Sequence, residues 1–348
     1  MSKAPRKGRG ATIDPANRFH EQLSVPVDDG WYREAPNKVV TSLSVDNSRS
    51  IINYNKSPDV PFDRSINPYR GCEHGCIYCY ARPTHAYLDL SPGLDFESKL
   101  FVKPKAADQL YQALSKPGYR AAPLALGANT DAYQPVERQQ KITRQILKVL
   151  HKLKHPVVIV TKSSLVERDI DILSEMAADG LAQVAMSITT LNAGIARHME
   201  PRAATPNKRL ETMGKLTDAG IPTHLMIAPL VPMLTDNELE LIMQRSRDMG
   251  ASSCSYVLLR LPLEVDELFL DWLVTYYPDR AERIMNRIRD CHQGENYRSE
   301  FGERQTGSGI FADLIGRRFT LAQKKLGYRA PKPLRCDLFC PPGQMDLF

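Results

Sequence analysis

From about residue 66 the chain alternates short apolar runs with longer amphipathic stretches. The run 122–127 reads as a strand, and helical spacing follows over roughly 137–153. The run 156–161 is succeeded by a helical pattern over about 165–178, the run 181–188 by one near 207–219, and the run 223–228 by one at about 235–249. Residues 254–260 close the series, and a first strand ahead of residue 72 brings it to six β/α units. Gly180, Gly220 and Gly250 fall where helices end. Strands that alternate with helices predict a parallel sheet. In parallel α/β folds chemistry gathers at the C-terminal ends of the strands. Site residues are therefore sought just past each apolar run.

The flanks break this rhythm. Residues 1–61 read as an extension rich in Pro, Asn, Asp and Ser, with one alternating stretch at 39–45 that predicts a strand. Ser57-Pro58-Asp59-Val60-Pro61-Phe62 is a stiff lead into the core. Beyond about residue 290, Gly294, Gly302, Gly307 and Gly309 stand among many charges, which predicts loops and one or two helices closing the open side of the barrel. The expected division is 1–61, a core over 62–290, and a C-terminal region over 291–348.

Composition adds limits. With 42% hydrophobic and 25% charged residues in 348, the chain has an ordinary globular make-up. No apolar run approaches the ~18–20 residues that span a bilayer, and the first ten residues hold no apolar signal segment. A cytoplasmic location is expected, without a membrane partner. The net charge is +6. Lys3, Arg6, Lys7 and Arg9 crowd the start without an acid among them, which suits either a phosphate-binding arm or a solvated end.

Cysteine changes the picture most. Seven cysteines are present, and Cys72, Cys76 and Cys79 fall within eight residues as C-x3-C-x2-C. They are too close for strain-free disulfides and read as metal ligands. An iron–sulfur cluster takes four thiolates, so a local trio implies a distant fourth ligand or an open iron. A structural zinc site is the alternative; it prefers two paired knuckles, and His74 lies inside the loop without a second knuckle beside it. Cys336 and Cys340 form another C-x3-C pair, which could bind a second cluster or metal with Cys291.

Asn67-Pro68-Tyr69-Arg70-Gly71 ahead of Cys72, and Tyr80-Ala81-Arg82 after Cys79, complete a motif that resembles the radical S-adenosylmethionine (SAM) superfamily, in particular its DNA-repair photolyase branch, which includes spore photoproduct lyase. The resemblance implies a partial (β/α)6 TIM-like barrel, a [4Fe–4S] cluster on Cys72, Cys76 and Cys79, and SAM on the open iron. It implies that the backbone of Tyr78 contacts adenine while its ring shields the cluster. Gly127-Ala128-Asn129-Thr130-Asp131 stands where the superfamily has a Gly-Gly-Glu-like segment, so Asn129, Thr130 and Asp131 become candidates for the SAM amino group; a turn with a helix cap is the plainer reading. Lys162 and Arg202 are candidates for the SAM carboxylate, Ser187 for its ribose or carboxylate, and Glu200 for orienting Arg202. His198 reads as structural, and Ala228–Pro232 as an apolar wall around adenine. A reductant such as flavodoxin or ferredoxin is implied as a partner.

The branch points to DNA repair or modification, and two features bear on that. Spore photoproduct lyase places a hydrogen-donating cysteine about forty residues beyond its motif, whereas this chain has none between Cys79 and Cys254. Cys254 or a tyrosine, Tyr80, Tyr133 or Tyr256, is then the candidate donor. The final Gln344-Met345-Asp346-Leu347-Phe348 is similar to the pentapeptide by which bacterial DNA polymerases and repair proteins dock on the β sliding clamp. The other readings are a radical SAM enzyme for a protein or small molecule, and a metal-binding adaptor without catalysis.

Overall fold

A computed structural model describes residues 6–19 and 39–341. Lys3 and the terminal Gln344–Phe348 lie outside the described residues. The ten strands are β1 (Ser42–Val45), β2 (Ile52–Tyr54), β3 (Arg64–Ile66), β4 (Tyr69–Arg70), β5 (Lys99–Val102), β6 (Leu124–Leu126), β7 (Val157–Thr161), β8 (Ala182–Ser187), β9 (Thr223–Leu230) and β10 (Ser253–Leu258). Seven form the main sheet in the order β10-β9-β8-β7-β6-β3-β2. Six of these run parallel and β2 joins antiparallel at the edge of β3. These six parallel strands are the expected β/α units, arranged as an open, partial barrel.

Alternation along the strands separates two faces. Leu126, Ile159, Val184, Leu225 and Ile227 are fully buried in the core beneath the helices. The opposite face mixes polar residues with small and aliphatic ones: Ser65, Ala125, Val158 and Gln183 in one register layer, Val160, Ala185, His224 and Ser253 in the next, then Ser187, Met226 and Ser255. Polar side chains on a parallel sheet depart from the usual near-continuous apolar pattern, and they leave this face suited to a polar ligand.

Three regions differ from the sequence expectation. Between the cysteine motif and β6, helices Leu94–Ser98 and Ala106–Leu114 flank β5. β5 pairs with β1 and β4 in a second, three-stranded sheet, order β1-β5-β4, so the alternating stretch near residue 40 is a strand outside the main sheet. Helices Glu264–Tyr276 and Pro278–Asp290 bury Leu268, Trp272, Ile284 and Ile288 with Ile77, Met199 and Leu234, which places them over the cysteine loop.

The last helix, Ile310–Lys325, does not close an open side. It packs Ala312, Ile315, Phe319 and Ala322 into the main core beside Cys254 and Leu258, backing β10. The tail then runs under the N-terminal ends of the strands. Arg329 N donates to Ser252 O at 3.0 Å, Arg335 N to Gly180 O at 3.0 Å, and Cys340 N to Leu153 O at 3.0 Å. No helix among the described residues is long and apolar enough to cross a membrane.

Candidate active site

The cysteine loop follows β4 and is held by backbone bonds and buried charge. Cys72 N donates to Phe96 O at 2.9 Å, and Ile77 N to Met199 O at 3.0 Å. Gln134 clamps its start: Glu73 N donates to Gln134 Oε1 at 2.8 Å while Gln134 Nε2 donates to Gly71 O at 3.2 Å. Fully buried Arg82 donates to Cys76 O at 2.9 Å, Gly93 O at 2.8 Å and Glu97 Oε1 at 2.5 Å. Glu97, also fully buried, accepts Gly10 N and Ala11 N at 2.9 Å each. Gly75 has φ 66°, and a Cβ there would stand 2.7 Å from Glu97 Oε2. Only glycine fits this turn against the buried acid.

Arg9 corrects the picture of a solvated basic arm. It is buried, with Nη1 donating to Glu97 O at 2.5 Å and Nη2 to Val39 O at 2.8 Å. The segment around Gly10 is thereby strapped onto the cysteine loop.

Cys72, Cys76 and Cys79 are free thiols, the first two buried. Burial raises all three pKa values, that of Cys76 to about 12. Thiolates here need a cationic partner, and iron of a cluster is one that the donor set fits. A mononuclear zinc site would need a fourth N or S donor beside the trio, and His74 of the same loop instead lies against Asp131.

The strand ends converge on this loop to different degrees. Lys162, just past β7, holds its Nζ 5.8 Å from the Tyr78 ring centroid and forms no ion pair among the described residues; its charge acts on Cys76 and Cys79. The Asn129 side chain is half-buried beside it in the fold's order, after β6, and makes no hydrogen bond among the described residues. Thr130 Oγ1 donates to Tyr69 O at 2.7 Å, and Ser187 Oγ to Ala228 O at 3.0 Å.

Asp131 is engaged by the scaffold. Tyr133 N and Thr161 Oγ1 donate to Oδ1 at 2.8 Å each, Lys162 N donates to Oδ2 at 2.7 Å, and His74 Nδ1 lies 3.3 Å from Oδ2. Burial favours its neutral form, but His74 and these donors outweigh it and lower the pKa to about 2. Asp131 therefore locks the β6 and β7 loops to the cysteine loop.

Glu200 does not orient Arg202. It pairs with fully buried Arg209, and its Oε1 accepts Tyr78 OH, together with Thr189 Oγ1 at 2.9 Å. Arg209 in turn donates to Ser187 O at 2.9 Å and Ala204 O at 2.7 Å. Arg202 instead lies 3.1 Å from Glu73 Oε1 in the cysteine loop. Trp272 Nε1 donates to His198 O at 3.0 Å and Tyr276 stacks on the His198 ring, as a structural histidine requires.

The candidate hydrogen donors are mostly turned away. Cys254 is near the start of β10, on the helix-packed face, with Gln323 Nε2 3.8 Å from its sulfur. Tyr256 lies against Phe319, and Tyr133 OH donates to Asp169 Oδ2 at 3.0 Å. Alternation in β10 puts Cys254 and Tyr256 on its outer face, which removes both from the mouth. Tyr80 is at the mouth, 45% exposed, with its hydroxyl on Ala128 O. The second metal site also fails to assemble: Cys340 lies at the N-terminal strand ends, whereas Cys291 is buried beside Gly307. Sequence reasoning missed Glu73, Glu97, Arg209 and Gln134, because a buried charge or amide carries no local signal apart from its distant partner.

The family model of the Radical SAM superfamily matches residues 66–245. An uncharacterised protein of Mycobacterium tuberculosis is 33% identical over 300 residues, covering 84% of this chain and 85% of its own length. Another, of Methanocaldococcus jannaschii, is 29% identical over 236 residues, with coverage of 68% and 84%. In fold the chain is similar to spore photoproduct lyase complexed with dinucleoside spore photoproduct, at TM-score 0.57 and 14% identity, covering 82% of this chain and 80% of that one. A variant of the same lyase with bound AdoMet and dinucleoside spore photoproduct aligns at TM-score 0.55 and 15% identity over the same shares, 82% and 80%.

Proposed function

We propose that this chain, which belongs to the radical SAM superfamily, cleaves S-adenosylmethionine reductively and directs the resulting radical at nucleic acid, DNA before RNA. Enzymes of the superfamily carry a [4Fe–4S] cluster, bind SAM and need a reductant. When bound, the cluster supplies the electron that splits SAM into methionine and a 5′-deoxyadenosyl radical. In this reading Cys72, Cys76 and Cys79 are its ligands, and flavodoxin or ferredoxin is the donor.

The carrying observation is the trio of desolvated thiols on one loop, with the unpaired Lys162 ammonium acting on two of them. Lys162 binds the SAM carboxylate as a point charge. Arg202 assists from its Glu73 contact, and the Asn129 amide, without other partners, takes the amino group. Tyr78, anchored to Glu200, keeps water from the cluster. Ser187 retains only acceptor capacity toward the ribose, because its proton is committed to Ala228 O. The protein's part is orientation and water exclusion, while the radical chemistry belongs to the cofactor.

Nucleic acid as substrate is supported by the fold shared with a lyase solved with a dinucleoside lesion, by the polar face of the sheet, and by the terminal Gln344–Phe348 as a β-clamp ligand. A cytoplasmic location suits an oxygen-sensitive cluster and free thiols. Anaerobic reconstitution with dithionite and SAM is the test. Wild-type protein is expected to release 5′-deoxyadenosine and Cys76→Ala to release at least about 100-fold less. Absence of product from protein with an intact cluster overturns the enzyme reading. Deuterium passing from a labelled oligodeoxynucleotide into 5′-deoxyadenosine supports DNA; transfer only from a protein or small molecule overturns it.

A further inference from the structure

Arg260 follows the C-terminal end of β10, at the mouth of the sheet. Its guanidinium carbon lies 5.2 Å from the Tyr80 ring centroid and 5.8 Å from that of Tyr297, and Nη2 donates to Tyr297 OH at 3.2 Å. Nε is buried without a hydrogen-bond partner. No carboxylate pairs with Arg260 among the described residues, whereas Arg82, Arg144, Arg168, Arg209, Arg304 and Arg318 are all ion-paired. A cation held on aromatic faces in place of acids keeps its charge for an external anion. Tyr80 directly follows Cys79, and its hydroxyl reaches Ala128 O beyond β6, so the three residues bridge the mouth from the β6 side to the β10 side.

An arginine flanked by one exposed and one half-buried tyrosine suits flexible nucleic-acid strands, with charge on the backbone and a ring under a base. We propose that Arg260, positioned by Tyr80 and Tyr297, takes a phosphodiester of the substrate strand while an adjacent base stacks on Tyr80. This assignment rests on the nucleic-acid reading above and makes the substrate an unpaired or extruded strand entering between β6 and β10.

The test uses cluster-loaded protein and a fluorescent single-stranded oligodeoxynucleotide, with anisotropy followed across a salt series. Arg260→Gln is expected to weaken binding about tenfold and to flatten the slope of log affinity against log salt by about 0.7, the share of one phosphate contact on a single strand. Arg260→Lys is expected to keep the slope and lose only part of the affinity, because charge survives without the planar fork. With neutral methylphosphonate linkages, wild type and Arg260→Gln should bind alike. If wild type binds the strand and Arg260→Gln matches it in affinity and slope, the assignment falls and the nucleic-acid reading stands. If wild type binds no strand at all, that reading falls and this assignment with it.

Discussion

Glu200 shows how much one buried residue organises. Arg209, whose side chain is 1% exposed, has Glu200 as its carboxylate partner, and Tyr78 and Thr189 share the other oxygen. Removing one member of a buried pair leaves the other charged and unsolvated, at a cost of about 3–5 kcal/mol. Glu200→Ala is expected to lose that much in urea unfolding of the cluster-free protein, with Glu200→Gln losing less; a change under about 1 kcal/mol would contradict the network. Glu200 was legible in the sequence but its partner was not. Arg202 stood two residues away, whereas Arg209 reaches Glu200 only because the helix Pro206–Asp218 turns it inward. His155 offers a pH test at the same scale. Burial lowers its pKa to about 4 from an ordinary 6.5, with Tyr119 OH and Pro156 O on its two nitrogens. The folded state then refuses a proton that the unfolded chain accepts, so stability is whole above pH 6.5 and is lost as pH falls toward 4, by up to about 3 kcal/mol. His155→Gln should flatten that part of a stability–pH curve measured by urea titration. An unchanged curve would mean that His155 is protonated in the fold.

At the scale of elements, the six parallel strands were readable because each is an apolar run followed by an amphipathic helix. β1 and β5 were not assigned to a sheet, since four residues pairing across more than fifty positions leave no periodic trace. From sequence the segment around Arg9 reads as a phosphate-binding arm or a solvated end for a similar reason: its anchor, Glu97, is 88 residues away. That segment has a consequence for the cluster. A Cβ on Gly10 would fall 1.9 Å from Gly75 O, so backbone meets backbone directly over the cysteine loop. Gly10→Val must lift the strap, and Arg9→Ala removes its anchor to Glu97 and Val39. Both variants are expected to reconstitute a cluster that bleaches severalfold faster in air than wild type, because shielding by a packed segment controls solvent access to such sites. Equal bleaching rates, followed by visible absorbance at matched iron content, would show that the strap leaves the loop's exposure unchanged.

In the whole molecule the proposed nucleic-acid contact and the last described residues lie at opposite ends of the sheet. The cysteine loop, Lys162, Tyr80 and Arg260 gather at the C-terminal ends of the strands. The chain's last described residues cross the N-terminal ends, where Phe339 lies 5.6 Å from the Tyr119 ring and 5.4 Å from His155. Truncation separates the packed part of the tail from the pentapeptide proposed to dock on the clamp. Ending the chain after Gly343 removes Gln344–Phe348 alone, so the melting temperature should stay within about 1 °C of wild type. Capture by the β clamp should disappear. Ending it after Tyr328 strips the cover from His155, Tyr119 and the bonds to Ser252, Gly180 and Leu153. Losing about 2 kcal/mol of such contacts should lower the melting temperature by roughly 3 °C. Clamp capture that persists without Gln344–Phe348 would remove the docking role from the pentapeptide. An equal fall in melting temperature for both truncations would show that the terminal residues contribute to folding stability, against a purely docking role for the pentapeptide.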